Sequence, residues 1–214
     1  MLKLWGRRNS INVQKVLWTL AEIGLEYEHV NVGGPYGGLG EASFLAMNPH
    51  GRIPVIEDEG TAIWESNAIV RYLAARYSPG GLSPIDPAER ARSDQWMDWC
   101  ATALQPALMD FFWSWYRTPE AQRNEALNRA QLARAYRAFA DLGQALGKQP
   151  FLSGSNLTMG DIPTGAMLYR YFTLEIDRPR LPRLEAWYER MCERESYRQG
   201  VMIPYDDLKG RQAF

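Results

Sequence analysis

A short polar segment near the start of the chain, Arg7-Arg8-Asn9-Ser10-Ile11-Asn12, is the first place where residue types and spacing suggest chemistry. It lies between an apolar stretch and the beginning of a helical hydrophobic pattern. Ser10 or Asn9 is a candidate N-cap, which is the commonest use of these residues at a helix start. A hydroxyl there can also donate to an anion, such as a thiolate, that the free N–H groups and the helix dipole already favour. Both interpretations stay open.

The segment Asn48-Pro49-His50-Gly51-Arg52-Ile53-Pro54-Val55 leads into a predicted strand. Pro54 cannot donate to a sheet ladder, so its place at the start of the strand indicates an edge or a special peptide bond. Because few X–Pro bonds are cis, the sequence alone favours a trans bond before Pro54. His50 by itself is more typical of a loop residue, and Arg52 of a solvated charge.

A third segment, Trp64-Glu65-Ser66-Asn67, opens a predicted helix. Glu65 and Ser66 are by default capping residues. The N–H groups of Ser66 and Asn67 could also hold a carboxylate while Glu65 pairs with an ammonium group. A ligand that carries both groups on one carbon is an amino acid or a γ-glutamyl peptide.

Other nucleophile and anion-binding patterns are weak. A Ser-His-Asp arrangement is unattractive because the only histidines are His29 and His50. A glycine-rich stretch lacks the P-loop ending and is expected to form a flexible surface loop rather than a phosphate cradle. Its glycines are Gly33, Gly34, Gly37, Gly38 and Gly40.

Residues 1–77 are predicted to form a thioredoxin-like domain, because short strands alternate with helices in the order βαβ, then α, then ββα. The expected strands are Leu2–Trp5, Tyr27–Val32, Pro54–Glu57 and Thr61–Trp64. The expected helices begin near Val13, around Glu41–Met47 and at Glu65. The residues Asp58-Glu59-Gly60 are a hairpin signal between the last two strands.

Residues 78–86, rich in Pro, Gly and Ser, are predicted to be a linker, and residues 87–214 an all-helical domain. The fold class is therefore α/β plus all-α. Asp86 as N-cap and Pro87 at the next position predict a helix that runs to about Tyr116 and bends at Pro106. Further helices are expected over Pro119–Leu146, from Thr158–Asp161 and from Pro182.

The composition excludes several classes of protein. A formal charge of −1 over 214 residues gives no general attraction to nucleic acid or to anionic lipid. The two cysteines, Cys100 and Cys192, have no metal-ligand spacing and suit a reducing compartment. Residues 1–6 lack the long apolar run expected of a signal peptide, and no stretch approaches the roughly 18 apolar residues expected of a membrane span. We therefore expect a cytoplasmic protein that binds no metal and has neither a membrane nor a nucleic acid as a partner.

Taken together and in this order, the segments resemble the cytosolic glutathione transferase superfamily across essentially the whole chain. The resemblance is closest to a serine-type bacterial branch. It rests on residues 4–13 (LWGRRNSINV), 44–49 (FLAMNP), 64–74 (WESNAIVRYLA), 96–99 (WMDW) and 201–204 (VMIP). These motifs are long, so chance is a poor explanation.

The resemblance implies a glutathione site on the first domain. Pro54 matches the family's cis-proline, which turns the backbone of Ile53 outward to pair with the cysteinyl unit of glutathione. Glu65 and Ser66 match the pair that binds the γ-glutamyl end. The residues that match the glycyl-carboxylate contacts are Arg52 and, as a further candidate, His50. Residues 37–43 lack the His, Gln or Lys that often helps to hold this end, so glycyl recognition stays open.

The resemblance also implies the groups that ionise the thiol. Ser10 matches the serine of the serine-type classes, and Asn12 lies where some bacterial classes place an asparagine near the sulfur. We interpret Ser10 as a hydrogen-bond donor to the thiolate and not as a nucleophile. Which of the two residues dominates stays open. Thr158–Asp161 matches the helix-capping motif of the second domain, which is structural.

The second domain is expected to shape a pocket for a small electrophile. One stripe of mostly aromatic residues at helical spacing is a candidate for lining this pocket, although such a stripe is as often part of the ordinary hydrophobic core. The stripe consists of Met109, Phe112, Trp113 and Tyr116. Arg7 and Arg8, at the mouth, are equally consistent with attraction of an anionic co-substrate and with solvated charges. The family further implies a homodimer in which the first domain of one subunit meets the second domain of the other.

The implied function is conjugation of glutathione to small electrophiles in detoxification. Two alternatives remain: a glutathione-dependent peroxidase or thiol oxidoreductase, and a non-enzymatic binding protein of the same fold. The absence of a cysteine near position 10 argues against disulfide exchange. The natural electrophile and the physiological role are not encoded in any motif.

Overall fold

The computed structural model describes residues 1–213; Phe214, the last residue of the predicted helical domain, lies outside the described residues. The first part of the chain contains four strands: β1 (Leu2–Trp5), β2 (Tyr27–Val30), β3 (Val55–Asp58) and β4 (Thr61–Trp64). Its helices are α1 (Ile11–Ile23), α2 (Ala42–Met47) and α3 (Ser66–Tyr77). The predicted order of elements is confirmed.

The four strands form one sheet in the order β2-β1-β3-β4. β1 pairs in parallel with β2 and antiparallel with β3, and β3 pairs antiparallel with β4. The predicted hairpin is present: Glu59 and Gly60 have φ of 49° and 80°, as a two-residue turn between β3 and β4 requires. The sheet with α1 and α3 gives the thioredoxin-like fold.

Two strand boundaries differ from the sequence prediction. β2 ends at Val30 and not at Val32. β3 begins at Val55, after Pro54, which has no N–H to donate to the ladder. The Ile53–Pro54 peptide bond is cis, so the expectation of a trans bond from frequency alone was wrong.

The rest of the chain is helical, as predicted. It contains α4 (Pro87–Trp99), α5 (Gln105–Phe111), α6 (Glu125–Leu146), α7 (Asp161–Thr173), α8 (Pro182–Glu193) and α9 (Glu195–Gly200). At the start of α4 the Asp86 carboxylate accepts from the Glu89 backbone N–H at 2.9 Å, which confirms the predicted cap. Within residues 1–213, no helix is long and apolar enough to cross a membrane.

In the second half, the first helical course ends close to the predicted Tyr116, whereas α6 begins later than predicted. α4 and α5 follow one helical course to Arg117, interrupted by π-helical segments at Cys100–Leu104 and Phe112–Arg117. Pro106, which was expected to bend this helix, follows the first segment. α6 begins at Glu125 and not at Pro119, because Asn124 caps it by accepting from the Leu127 N–H at 3.0 Å.

The two halves pack tightly around α1. Trp18 on α1 is fully buried and meets the Tyr197 ring of α9 edge to face, with centroids 4.9 Å apart. Gly200 is required there, because a Cβ at this position would lie 2.5 Å from the backbone of Trp18. Arg194 pairs with Glu22 at the other end of α1. This interface fixes the N-terminus of α1 relative to the helical half.

Candidate active site

A cavity of about 880 Å³ lies between the two halves, at the N-terminus of α1. The structure brings nine of the residues singled out from the sequence to its walls. These are Arg7, Ser10, Asn12, His50, Arg52 and Ile53 from the first half, and Met109, Phe112 and Trp113 from the second. The glycines from Gly33 to Gly40, expected to form a surface loop, also line it.

Ser10 occupies the N-cap position of α1, with φ −79° and ψ 125°, but its side chain makes no capping hydrogen bond. Asn9 does not cap the helix either, because its Nδ2 donates to the Asp207 carboxylate at 2.8 Å and its Oδ1 accepts from Arg7. The capping interpretation of both side chains therefore fails. The Ser10 hydroxyl lines the cavity beside the positive end of the helix dipole.

The loop before β3 is held by Asn48, which is 2% exposed. Its Nδ2 donates to the Arg52 carbonyl at 2.8 Å, and its Oδ1 accepts from the His50 N–H at 3.0 Å. His50 and Arg52 are exposed at the rim, and the His50 ring packs edge to face on the Trp64 ring. Ile53 precedes β3, so its backbone is available beside the sheet.

Glu65 and Ser66 lie in a second cavity of about 470 Å³. Asn12, Gln105 and Met109 line both cavities, so the two are adjacent. Glu65, the N-cap of α3, has φ 69° and ψ 114°, a left-handed conformation that costs a non-glycine residue about 1–3 kcal/mol. Such strain is concentrated at ligand sites.

A buried ammonium group lies beneath this second cavity and was missed in the sequence. Lys15 is 1% exposed, and its Nζ donates to Gln105 Oε1 at 2.6 Å and to Ser66 Oγ at 3.4 Å. Burial lowers the pKa of Lys15, whereas Cys100 and Glu65 raise it. The available signal was a lysine within the apolar stripe of the first helix. Gln105 carried no signal, because its contacts cross between the two halves.

The aromatic stripe of the second half is divided between the cavity and the core. Met109, Phe112 and Trp113 line the cavity, and the Trp113 side chain is 45% exposed. Tyr116 does not line it; its ring stacks behind Phe112 with centroids 4.9 Å apart. Arg8 is not at the cavity either, since its guanidinium donates to the Gln199 carbonyl at 3.2 Å.

Two buried arginines that were not singled out from the sequence line the same cavity as Arg7. Arg117 lies over the Trp113 ring, 3.9 Å from its centroid, and Arg170 donates to the Asn9 carbonyl at 2.5 Å. Burial, with repulsion from Arg7 and Arg117, lowers the pKa of Arg170 to about 9, so it stays charged at neutral pH. Among residues 1–213, no Asp or Glu lines this cavity.

Neither cysteine lines either cavity. Cys100 is fully buried, and burial raises its pKa to about 11, which makes it a poor nucleophile. Over the described residues, no group of three or more His, Cys, Asp or Glu side chains is placed to hold a metal ion.

Two family models match the chain. The first describes the glutathione S-transferase N-terminal domain, over residues 1–75, and the second the C-terminal domain, over residues 120–190. Over 95% of its length the chain is 40% identical to glutathione S-transferase GstB of Escherichia coli, covering 99% of that protein. It is 32% identical to glutathione S-transferase D7 of Drosophila melanogaster over 77% of the chain and 72% of that protein.

Solved structures agree with the sequence relatives. The theta class glutathione S-transferase of Xanthomonas axonopodis pv. citri, crystallised with glutathione bound, superposes with a TM-score of 0.91 at 46% identity. That match covers 95% of this chain and 98% of the other. A glutathione S-transferase of Pseudomonas fluorescens superposes with a TM-score of 0.79 at 31% identity, covering 91% of this chain and 96% of the other. The chain belongs to the glutathione transferase family, with glutathione as its co-substrate.

Proposed function

We propose that this protein transfers the thiolate of glutathione to small electrophiles, with Ser10 and Asn12 as the side chains that stabilise the anion. The observation that carries the proposal is the Ser10 hydroxyl, which lines the cavity at the N-terminus of α1 without a capping bond. A free thiol has a pKa near 8.5, so only a few per cent is ionised at neutral pH. Lowering that pKa by about two units takes roughly 2.7 kcal/mol, which one or two hydrogen bonds to the anion supply.

The chain binds the rest of the tripeptide along the sheet edge. The Ile53 backbone, fixed by the cis bond to Pro54, pairs with the cysteinyl unit. Ser66 and the N-terminus of α3 hold the γ-glutamyl carboxylate, and Glu65 pairs with the ammonium group. Arg52 and His50, exposed at the rim, take the glycyl carboxylate.

The electrophile enters against Met109, Phe112 and Trp113. The guanidinium groups of Arg7, Arg117 and Arg170 at the same end attract an electrophile that carries an anionic group, and the Asp207 carboxylate offsets part of the charge of Arg7 and Arg117. Arg8 and Tyr116 do not contact the electrophile. Arg8 instead holds the Gln199 carbonyl, and the Tyr116 ring supports Phe112 from behind the pocket.

We further propose that the protein acts in detoxification and is a cytoplasmic homodimer. Each subunit would consist of two domains, residues 1–77 and residues 87–214, joined by a linker of residues 78–86. The absence of disulfides among the described cysteines is consistent with a reducing compartment. Light scattering of the purified protein tests the dimer, for which twice the chain mass is expected and a single chain mass contradicts the proposal.

Retention on immobilised glutathione, followed by assays with electrophiles and hydroperoxides, tests the activity. Conjugation of electrophiles with saturation in glutathione is expected. Reduction of hydroperoxides without conjugation would favour the peroxidase alternative. Failure to bind glutathione would leave only a binding protein of the same fold.

A further inference from the structure

Four polar side chains form a closed ring of hydrogen bonds at the junction of the two cavities. Lys15 donates to Gln105 Oε1 at 2.6 Å, and Gln105 Nε2 donates to Asn12 Oδ1 at 3.1 Å. Ser66 Oγ donates to the same Asn12 oxygen at 3.4 Å and accepts from Lys15 Nζ at 3.4 Å. The ring joins α1, the start of α3 and the start of α5, so it spans both halves of the molecule.

The ring has a direction that follows from the chemistry of lysine. An ammonium group has donors and no acceptor, so it meets the oxygen of the Gln105 amide and not the nitrogen. The Gln105 nitrogen then faces Asn12, which must present its own oxygen in return. The opposite orientation of either amide would place two donors against each other.

The consequence is that the Asn12 amide nitrogen is turned away from the ring. Within residues 1–213, the hydrogen bonds of the Asn12 side chain all go to its oxygen, and Asn12 lines both cavities, the larger one together with Ser10. The Asn12 N–H groups are therefore left to donate to an anion bound in the cavity. With Lys15 replaced by an apolar residue, both amides are free to turn over.

We propose that Lys15 and Gln105 are positioning residues that fix the Asn12 amide with its N–H donors toward the sulfur of bound glutathione. The inference rests on the proposed function, because it assumes a thiolate at this place. Lys15 and Gln105 need not contact the sulfur; they act through Asn12. The second domain thereby contributes to thiol activation by a route separate from the electrophile pocket.

The alternative is that Lys15 acts by its charge alone. A buried cation lowers the pKa of a nearby thiol without any orientation of Asn12. Two comparisons separate these explanations. Gln105→Leu breaks the ring without changing any charge, and an Asn12→Ala background removes the group through which the positioning acts.

The test measures the pKa of bound glutathione from thiolate absorbance in wild type, Lys15→Met, Gln105→Leu, Asn12→Ala and the two double variants with Asn12→Ala. Each single variant is expected to raise the thiol pKa by up to about one unit, with little change in the Kd of glutathione. The double variants should match Asn12→Ala alone. Lys3→Met, at a partly exposed lysine of β1, is the charge-matched control and should leave the thiol pKa unchanged.

Unchanged thiol pKa values in Gln105→Leu overturn the inference, as does a Lys15→Met shift that persists in the Asn12→Ala background. If Lys15→Met does not fold, Gln105→Leu at a half-buried position carries the test. A wild-type complex that shows no ionised thiol overturns the proposed function itself. A wild-type complex with an ionised thiol and insensitive variants overturns the positioning role alone.

Discussion

Under the proposed role of Ser10, its replacement by alanine removes one hydrogen-bond donor from the thiolate and leaves the backbone of α1 in place, because the side chain makes no capping bond. A hydrogen bond to a charged group contributes about 1.5–3 kcal/mol. Since about 1.4 kcal/mol corresponds to one pKa unit, the thiol pKa should rise by about one to two units. The pKa rises and does not fall because the hydroxyl donor stabilises the thiolate. Loss of the donor therefore favours the neutral thiol.

The assay measures how kcat/KM for the electrophile depends on pH when glutathione is saturating. With a wild-type thiol pKa near 6.5, the ionised fraction at about pH 6.5 falls roughly 5- to 50-fold in Ser10→Ala, and activity falls with it. Near pH 9 both proteins hold mostly thiolate, so their rates should converge. Ser43→Ala, at an exposed serine of α2, is the matched control. A rate loss that is equal at both pH values would refute ionisation as the role of Ser10.

Three further outcomes are expected. In steady-state kinetics, Arg117→Met should raise KM for the anionic electrophile 4-chloro-3-nitrobenzoate about 10-fold or more, because the carboxylate loses a charged partner, but should not raise KM for the neutral methyl ester. Equal effects on both substrates would contradict an anion site. Gly200→Ala should lower the free energy of unfolding by about 3 kcal/mol in urea titration, because the new Cβ meets the Trp18 backbone; a stability within experimental error of wild type would contradict the tight interface. Asp161→Ala should lower the free energy of unfolding by about 3 kcal/mol in the same assay, because the buried Thr158 N–H and the partly buried Leu152 N–H lose their acceptor. An unchanged stability would contradict a structural role of Asp161 in the capping motif.

Elements with local signals could be predicted from the sequence. α1 ends at Ile23 because Gly24, at φ 73°, takes the left-handed cap conformation, and a glycine after an apolar helical stripe is a local signal for such an end. The β3–β4 hairpin follows from its Gly-containing two-residue turn, and α4 from an Asp and Pro start. These signals depend on neighbours in the chain, which a single sequence contains in full.

Features that depend on contacts across the molecule could not be predicted in this way. Gln105 and Arg170 are ordinary residues in the sequence and reach the cavity only because the helical half packs against α1. The α6 start was predicted too early because the helical pattern gave no boundary and Asn124 was not recognised as its cap. Whether Ser10 caps α1 depended on the direction of one side chain, which spacing does not determine.

The decisive measurement is a titration of the thiolate absorbance of glutathione bound to the wild-type protein. We expect a bound thiol pKa about two units below the free value, because the N-terminus of α1, Ser10 and Asn12 are proposed to stabilise the anion together. A bound thiol that titrates near pH 8.5, as a free thiol does, would contradict it.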